Sequence, residues 1–149
     1  MTGHEPREVT LRIPMLPDME LAASQVASSV AVLVRLTVDE ADEVRLAIIE
    51  ACLNAFEHSQ SPDRSVTIRY VILPDELKII IEDEGKGFSP EHPPERPQTS
   101  QLEIHPRGWG LKLMRELMDE VRIESSAAGT KVILSKRLQR DGGEEREAL

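Results

Sequence analysis

The chain has 149 residues, 40% of them hydrophobic and 30% charged, with a net charge of −9. That balance fits one globular domain with an ordinary core, and its acidity excludes binding along a nucleic-acid backbone, which needs a basic face. Aromatics make up only 3%, so the core must be aliphatic and stacking on nucleic-acid bases has little to work with.

In chain order, residues 1–8 are polar and expected to form a flexible N-terminus. V-T-L-R-I-P (9–14) alternates and stops at a proline, a short strand. Pro17 and Asp18 open a long Ala-rich run whose composition predicts a helix ending near Leu36. Thr37 and Glu40 have capping-box spacing, so a second helix starts there and runs to about His58, with Val44, Ala47, Ile48, Ala51 and Ala55 as its apolar stripe. Cys52, the one cysteine, sits among these residues and reads as core filler; no internal disulfide can form.

After a loop at 59–63, residues 66–73 and 77–83 are β-branched strands joined by the turn at Pro74-Asp75-Glu76, an antiparallel hairpin. From Glu84 to Pro106 no period is visible and five prolines exclude a regular helix; so long a loop in a compact domain is usually functional or disordered. Gly108 to Val121 is the third helix, with Leu111, Met114, Leu117, Met118 and Val121 on one face. Strands at 121–125 and 130–138 follow, and residues 139–149 read as a disordered tail. Hairpin-paired strands and segregated helices predict an α+β fold, a two-layer sandwich. No apolar run reaches the ~20 residues of a membrane span, and the opening M-T-G-H-E-P-R-E lacks an apolar signal segment, so a cytoplasmic protein is expected.

Four places carry candidate chemistry. On the second helix Glu50, Asn54 and His58 are each four residues apart, a row flanking the apolar stripe at about 6 Å per step. A Glu one turn from an Asn can hold a divalent cation or take a proton; the same row also fits a solvated helix edge. In E-D-E-G-K-G-F (82–88) no phosphate loop fits: the G-x-x-x-x-G-K-[ST] pattern is absent, and the third glycine of a dinucleotide fingerprint falls on Pro90. Asp83 reads instead as a strand-end carboxylate able to accept from the adenine amino group. Gly85 and Gly87 would leave room for a flat base. A plain turn is the other reading.

Gly108-Trp109-Gly110-Leu111 opens a helix whose free N–H groups and positive dipole end suit phosphate, with Arg107 and Lys112 as nearby cations. A bare loop terminus, with Trp109 as a packing anchor, fits too. Thr130 follows Gly129 at a strand start, where its hydroxyl could reach Asp83 or a base. His92 and His105, in the proline-rich loop, make no metal motif.

Together and in order, E-x-x-x-N-x-x-x-H, D-x-G-x-G, a long loop into G-x-G-L, and G-T before a strand resemble the N, G1, G2 and G3 boxes of the GHKL ATP-binding superfamily. Within it the chain is similar to the bacterial anti-sigma-factor serine/threonine kinases, through L-R-I-P, L-A-I-I-E-A-C-L-N-A-F-E-H and G-W-G-L-K-L-M-R-E-L-M-D-E-V. The resemblance covers roughly residues 9–138.

It implies the Bergerat-type fold with a mainly antiparallel mixed sheet and three main helices, and an ATP lid at 84–106. It implies Mg²⁺ and ATP as cofactors, with Asn54 as the Mg²⁺ ligand and Glu50 as the general base. Asp83 would bind adenine, with Gly85, Gly87 and Thr130 beside it. Arg107, Gly108, Trp109, Gly110 and Leu111 would lie at the phosphates. It further implies a kinase acting on a Ser or Thr of a STAS-domain anti-anti-sigma protein, binding of a sigma factor, and a homodimer. Neither nucleic acid nor membrane is expected as a direct partner.

Some family members carry an arginine two residues before the first glycine of G2. That position is Pro106 here, which leaves the Arg107 contact open. Two other readings remain: a non-catalytic ATP-binding switch, and a phosphoryl donor to a separate His-containing protein.

Overall fold

The computed structural model describes residues 7–59, 64–83, 107–126 and 129–139. The expected lid at 84–106, with Gly85 and Gly87, and the tail from 140 onward lie outside the described residues.

The elements run β1 (Arg7–Pro14), α1 (Glu20–Leu33), α2 (Val38–His58), β2 (Ser65–Ile72), β3 (Glu76–Asp83), α3 (Arg107–Leu117), β4 (Glu120–Ser126) and β5 (Gly129–Arg137). The five strands form one sheet in the order β1-β2-β3-β5-β4. Every pairing among the described residues is antiparallel, so the sheet expected to be mainly antiparallel but mixed shows no parallel pair among them. Residues 7 and 8, expected to be flexible, belong to β1, where the Glu8 carboxylate accepts from Arg69 Nε at 2.9 Å.

Alternation sorts the sheet residues into two faces. Ile13, Val66, Ile68, Tyr70, Leu77, Ile79, Ile81 and Leu134 are buried under the helices with Val44, Ala47, Ile48, Ala51, Cys52 and Met114. On the other face Lys131 and Glu82 stand 3.9 Å apart, a half-exposed surface pair of the kind worth about 1 kcal/mol or less. Burial is mainly on the helix-covered face, although Ile80 and Ser135 of the other are also covered, and it makes a two-layer α+β sandwich, with α2 packed against both α1 and α3.

Helix boundaries follow local chemistry. Thr37 caps α2 as a full capping box: its Oγ1 accepts from Glu40 N–H at 3.1 Å and its own N–H donates to Glu40 Oε1 at 2.9 Å. α1 stops at Leu33, three residues short of the predicted end. There Arg35 adopts φ 63° while Leu36 N–H bonds the Ala31 carbonyl and Arg35 N–H bonds that of Val32, a Schellman closure that usually uses glycine. α3 stops at Leu117 rather than Val121, because Asp119 N–H already bonds the Ser135 carbonyl of β5 and Asp119 Oδ2 accepts from Arg137 N–H. No helix among the described residues is long and apolar enough to cross a membrane.

The Tyr70 hydroxyl, at the centre of the core, donates to the Ala23 carbonyl at 2.7 Å. Burial, and then the nearby Cys52, push its ionisation above the ordinary 10.0. Burial, and secondarily Glu20, push the Cys52 thiol from 9.0 up to about 12. Both groups bind their protons more tightly folded than unfolded, so their stabilisation is complete below the unfolded value and fades as pH rises past it. The expected result is a melting temperature that falls between about pH 9 and 12, with a shallower fall in Cys52→Ala. An equally steep fall in that variant would contradict the burial account.

Candidate functional site

α2 and α3 carry the first half of the site. Glu50 and Asn54 lie one turn apart on the flank of α2 beside the buried Ala47 and Ala51. α3 begins at Arg107, so residues 107 to 110 supply the four N–H groups that an α-helix leaves without an internal acceptor. At Gly110 the two helices come close: a Cβ built there would stand 3.2 Å from Glu50 Oε1, 3.5 Å from Asn54 Nδ2 and 3.6 Å from Asn54 Oδ1. The absent side chain lets the amide end of α3 meet a carboxylate and a carboxamide. The positive end of the helix dipole makes that neighbourhood favourable for anions.

Strands β3, β5 and β4 carry the second half. Asp83 ends β3 and is buried, on the inward register shared with Ile79 and Ile81. Its register partners are Val66 on β2 and Thr130 on β5. Thr130 in turn faces Ser125 on β4, and their hydroxyls are 2.9 Å apart. Gly129 adopts φ 140°, a region that excludes a side chain, and this tight start brings Thr130 opposite Asp83. A carboxylate and a hydroxyl held at the strand ends are acceptor and donor suited to a polar base edge.

The predicted residues divide accordingly. Glu50, Asn54 and Gly110 come together, and so do Asp83 and Thr130. Leu111 is half-buried and packs against the core, so its side chain supports α3. Arg107, Gly108 and Trp109 belong to the first turn of α3, but their side chains lie outside the described residues. His58, the third member of the α2 row, is exposed at the helix end. Sequence reasoning missed Ser125. Its position follows from the antiparallel register of β4 and β5, which sets 125 opposite 130.

Among the described residues no group of three or more His, Cys, Asp or Glu could hold a metal. The donor set present, one carboxamide beside one carboxylate, fits Mg²⁺ shared with phosphate oxygens and waters, the usual mode for that ion. It does not fit an all-protein cage.

A family model described as a histidine kinase-like ATPase domain matches residues 13–136. The chain is 31% identical over 144 residues to the serine-protein kinase RsbW of Bacillus subtilis, covering 89% of this chain and 90% of that protein. It is 36% identical over 104 residues to the anti-sigma F factor of Clostridium acetobutylicum, covering 68% and 73%. A crystal structure of the RsbU and RsbW domains of a Mycobacterium tuberculosis protein superposes with a TM-score of 0.66 at 18% identity. The match covers 89% of this chain and 32% of that longer one, and bears on the fold alone. The chain thus belongs to the histidine kinase-like ATPase family and, within it, to the anti-sigma-factor serine/threonine kinases.

Proposed function

We propose that the protein is an ATP-dependent serine/threonine kinase of a partner-switching system. It would phosphorylate a Ser or Thr on a STAS-domain anti-anti-sigma protein and, as a homodimer, hold a sigma factor once that partner has been released. One observation carries the catalytic reading: the Glu50 carboxylate and Asn54 amide meet the free amide end of α3 at Gly110, where a Cβ would stand only 3.2 Å from Glu50 Oε1.

The chemistry follows from those groups. Phosphoryl transfer is mostly positioning and charge neutralisation. Glu50 accepts the proton of the attacking hydroxyl. Asn54 Oδ1 holds Mg²⁺, which when bound neutralises charge on the phosphates. The N–H groups at the start of α3 take the phosphate oxygens, with Arg107 next to them in sequence. Asp83 accepts from the adenine amino group and Thr130 offers its hydroxyl beside it. A non-catalytic ATP switch would need Asn54, Asp83 and the helix end, but no carboxylate at position 50 to act as base. A donor to histidine would leave an acid-labile phosphate, whereas Ser or Thr keeps it through acid.

Incubation with ATP and a STAS-domain protein is therefore expected to give an acid-stable phosphoprotein. Glu50→Gln should lower that transfer by about a hundredfold or more while ATP affinity stays near wild type; transfer at near wild-type rate would remove Glu50 as the base. Gly110→Ala should weaken ATP binding by about tenfold or more through misplacement, with helicity unchanged or raised because alanine is the better helix former. Undiminished ATP affinity in that variant would contradict the close approach of α2 and α3.

A further inference from the structure

Lys136 lies on β5 at the inward position after Val132 and Leu134, opposite Leu77 of β3. It is a buried cation, its side chain only 8% exposed. Its Nζ donates to Glu43 Oε1 of α2 at 2.9 Å and to the carbonyl of Leu117 at 2.6 Å. Leu117 is the last residue of α3. Its carbonyl has no acceptor role inside the helix, and the helix dipole is negative there, so a cation is the fitting partner.

Lys136 thus ties the sheet, α2 and the C-terminal end of α3 together at one point. Burying an ammonium in an otherwise aliphatic layer is costly unless it is fully paired. A leucine or methionine would fill that inward position without such a requirement.

Glu43 and Glu50 are seven residues apart on α2, and Gly110 and Leu117 are seven apart on α3. Seven residues are two turns, roughly 10 Å in each helix. The antiparallel pair of helices therefore meets at two matched rungs: Glu50 and Asn54 against Gly110, and Glu43 through Lys136 to Leu117. The first rung is a close approach without a side chain on one partner. It sets how near the helices come and leaves α3 free to slide or turn along α2. The second rung is directional and removes that freedom.

We propose that Lys136 is a positioning residue for the phosphate half of the nucleotide site: by fixing the C-terminal end of α3, it sets where the amides at the N-terminal end meet Glu50 and Asn54. This rests on the nucleotide reading above. The base half, Asp83 and Thr130, hangs on the strand register and does not depend on it.

The test compares Mg-ADP with adenosine, which lacks the phosphates, on wild type, on Lys136→Met and on Ile68→Ala. The last is a core lesion on β2, two strands away from the β5 strand that carries Lys136, and lowers stability without removing any partner of Lys136. Lys136→Met should lose about tenfold or more in ADP affinity and less than about twofold in adenosine affinity. Ile68→Ala should show no such split. Equal losses for both ligands in Lys136→Met, or no loss for either, would overturn the inference.

If Lys136→Met does not fold, Glu43→Met, which loosens the same rung from its exposed side, should give the same split more weakly. Equal effects there would overturn the inference as well. Wild-type protein that binds neither ligand would refute the nucleotide reading and this inference together. Wild-type binding with an unsplit variant refutes this inference alone.

Discussion

The approach of α3 to α2 at Gly110 is the constraint on which the rest depends. With a Cβ position 3.2 Å from Glu50 Oε1, even a methyl group there would make Glu50 give by a few tenths of an ångström, and a larger side chain would push the helices apart or turn Glu50 away. Glycine in a helix costs about 1 kcal/mol relative to alanine, and an exposed helix would gain nothing in return. Here the exchange gives the amide end of α3 direct access to the only carboxylate and carboxamide in that row. The carboxylate, the carboxamide and the dipole end are each unremarkable alone; the bare backbone at Gly110 lets them come together.

The inward face of the sheet is organised around the same need. Along β5 the inward residues are Thr130, Val132, Leu134 and Lys136, polar at both ends and aliphatic between. Along β3 they are Leu77, Ile79, Ile81 and Asp83. The aliphatic middle holds the helices through dispersion and burial, at about 25 cal/mol per Å² of apolar area. One polar end gathers Asp83, Thr130 and Ser125, and the other anchors α3 through Lys136. Antiparallel register converts those positions into neighbours. A one-residue slip would turn Asp83 and Lys136 to the solvent face and empty the site.

Much of this was legible in the chain itself. The capping box at Thr37 and Glu40 marked the start of α2, and a spacing of four put Glu50 and Asn54 on one flank. Alternation marked the strands and, with them, the inward carboxylate of Asp83. The misses have physical causes. The end of α1 was hidden because Arg35, a residue with no preference for the left-handed region, takes the place usual for glycine. The end of α3 was hidden because its apolar pattern runs on to Val121, and tertiary bonds from Asp119 to β5 override it. Lys136 read as an ordinary strand lysine. Its burial depends on partners from α2 and α3 that no local pattern reveals.

The central claim is that these two halves form an adenine-nucleotide site. Calorimetric titration of Mg-ATP and Mg-GTP into wild type and Asp83→Asn tests it most directly. The account predicts that ATP binds and GTP fails, since guanine carries a carbonyl where adenine has its amino group. It also predicts that Asp83→Asn loses most of its ATP affinity. ATP and GTP bound equally well, or an Asp83→Asn variant that binds ATP as tightly as wild type, would contradict it.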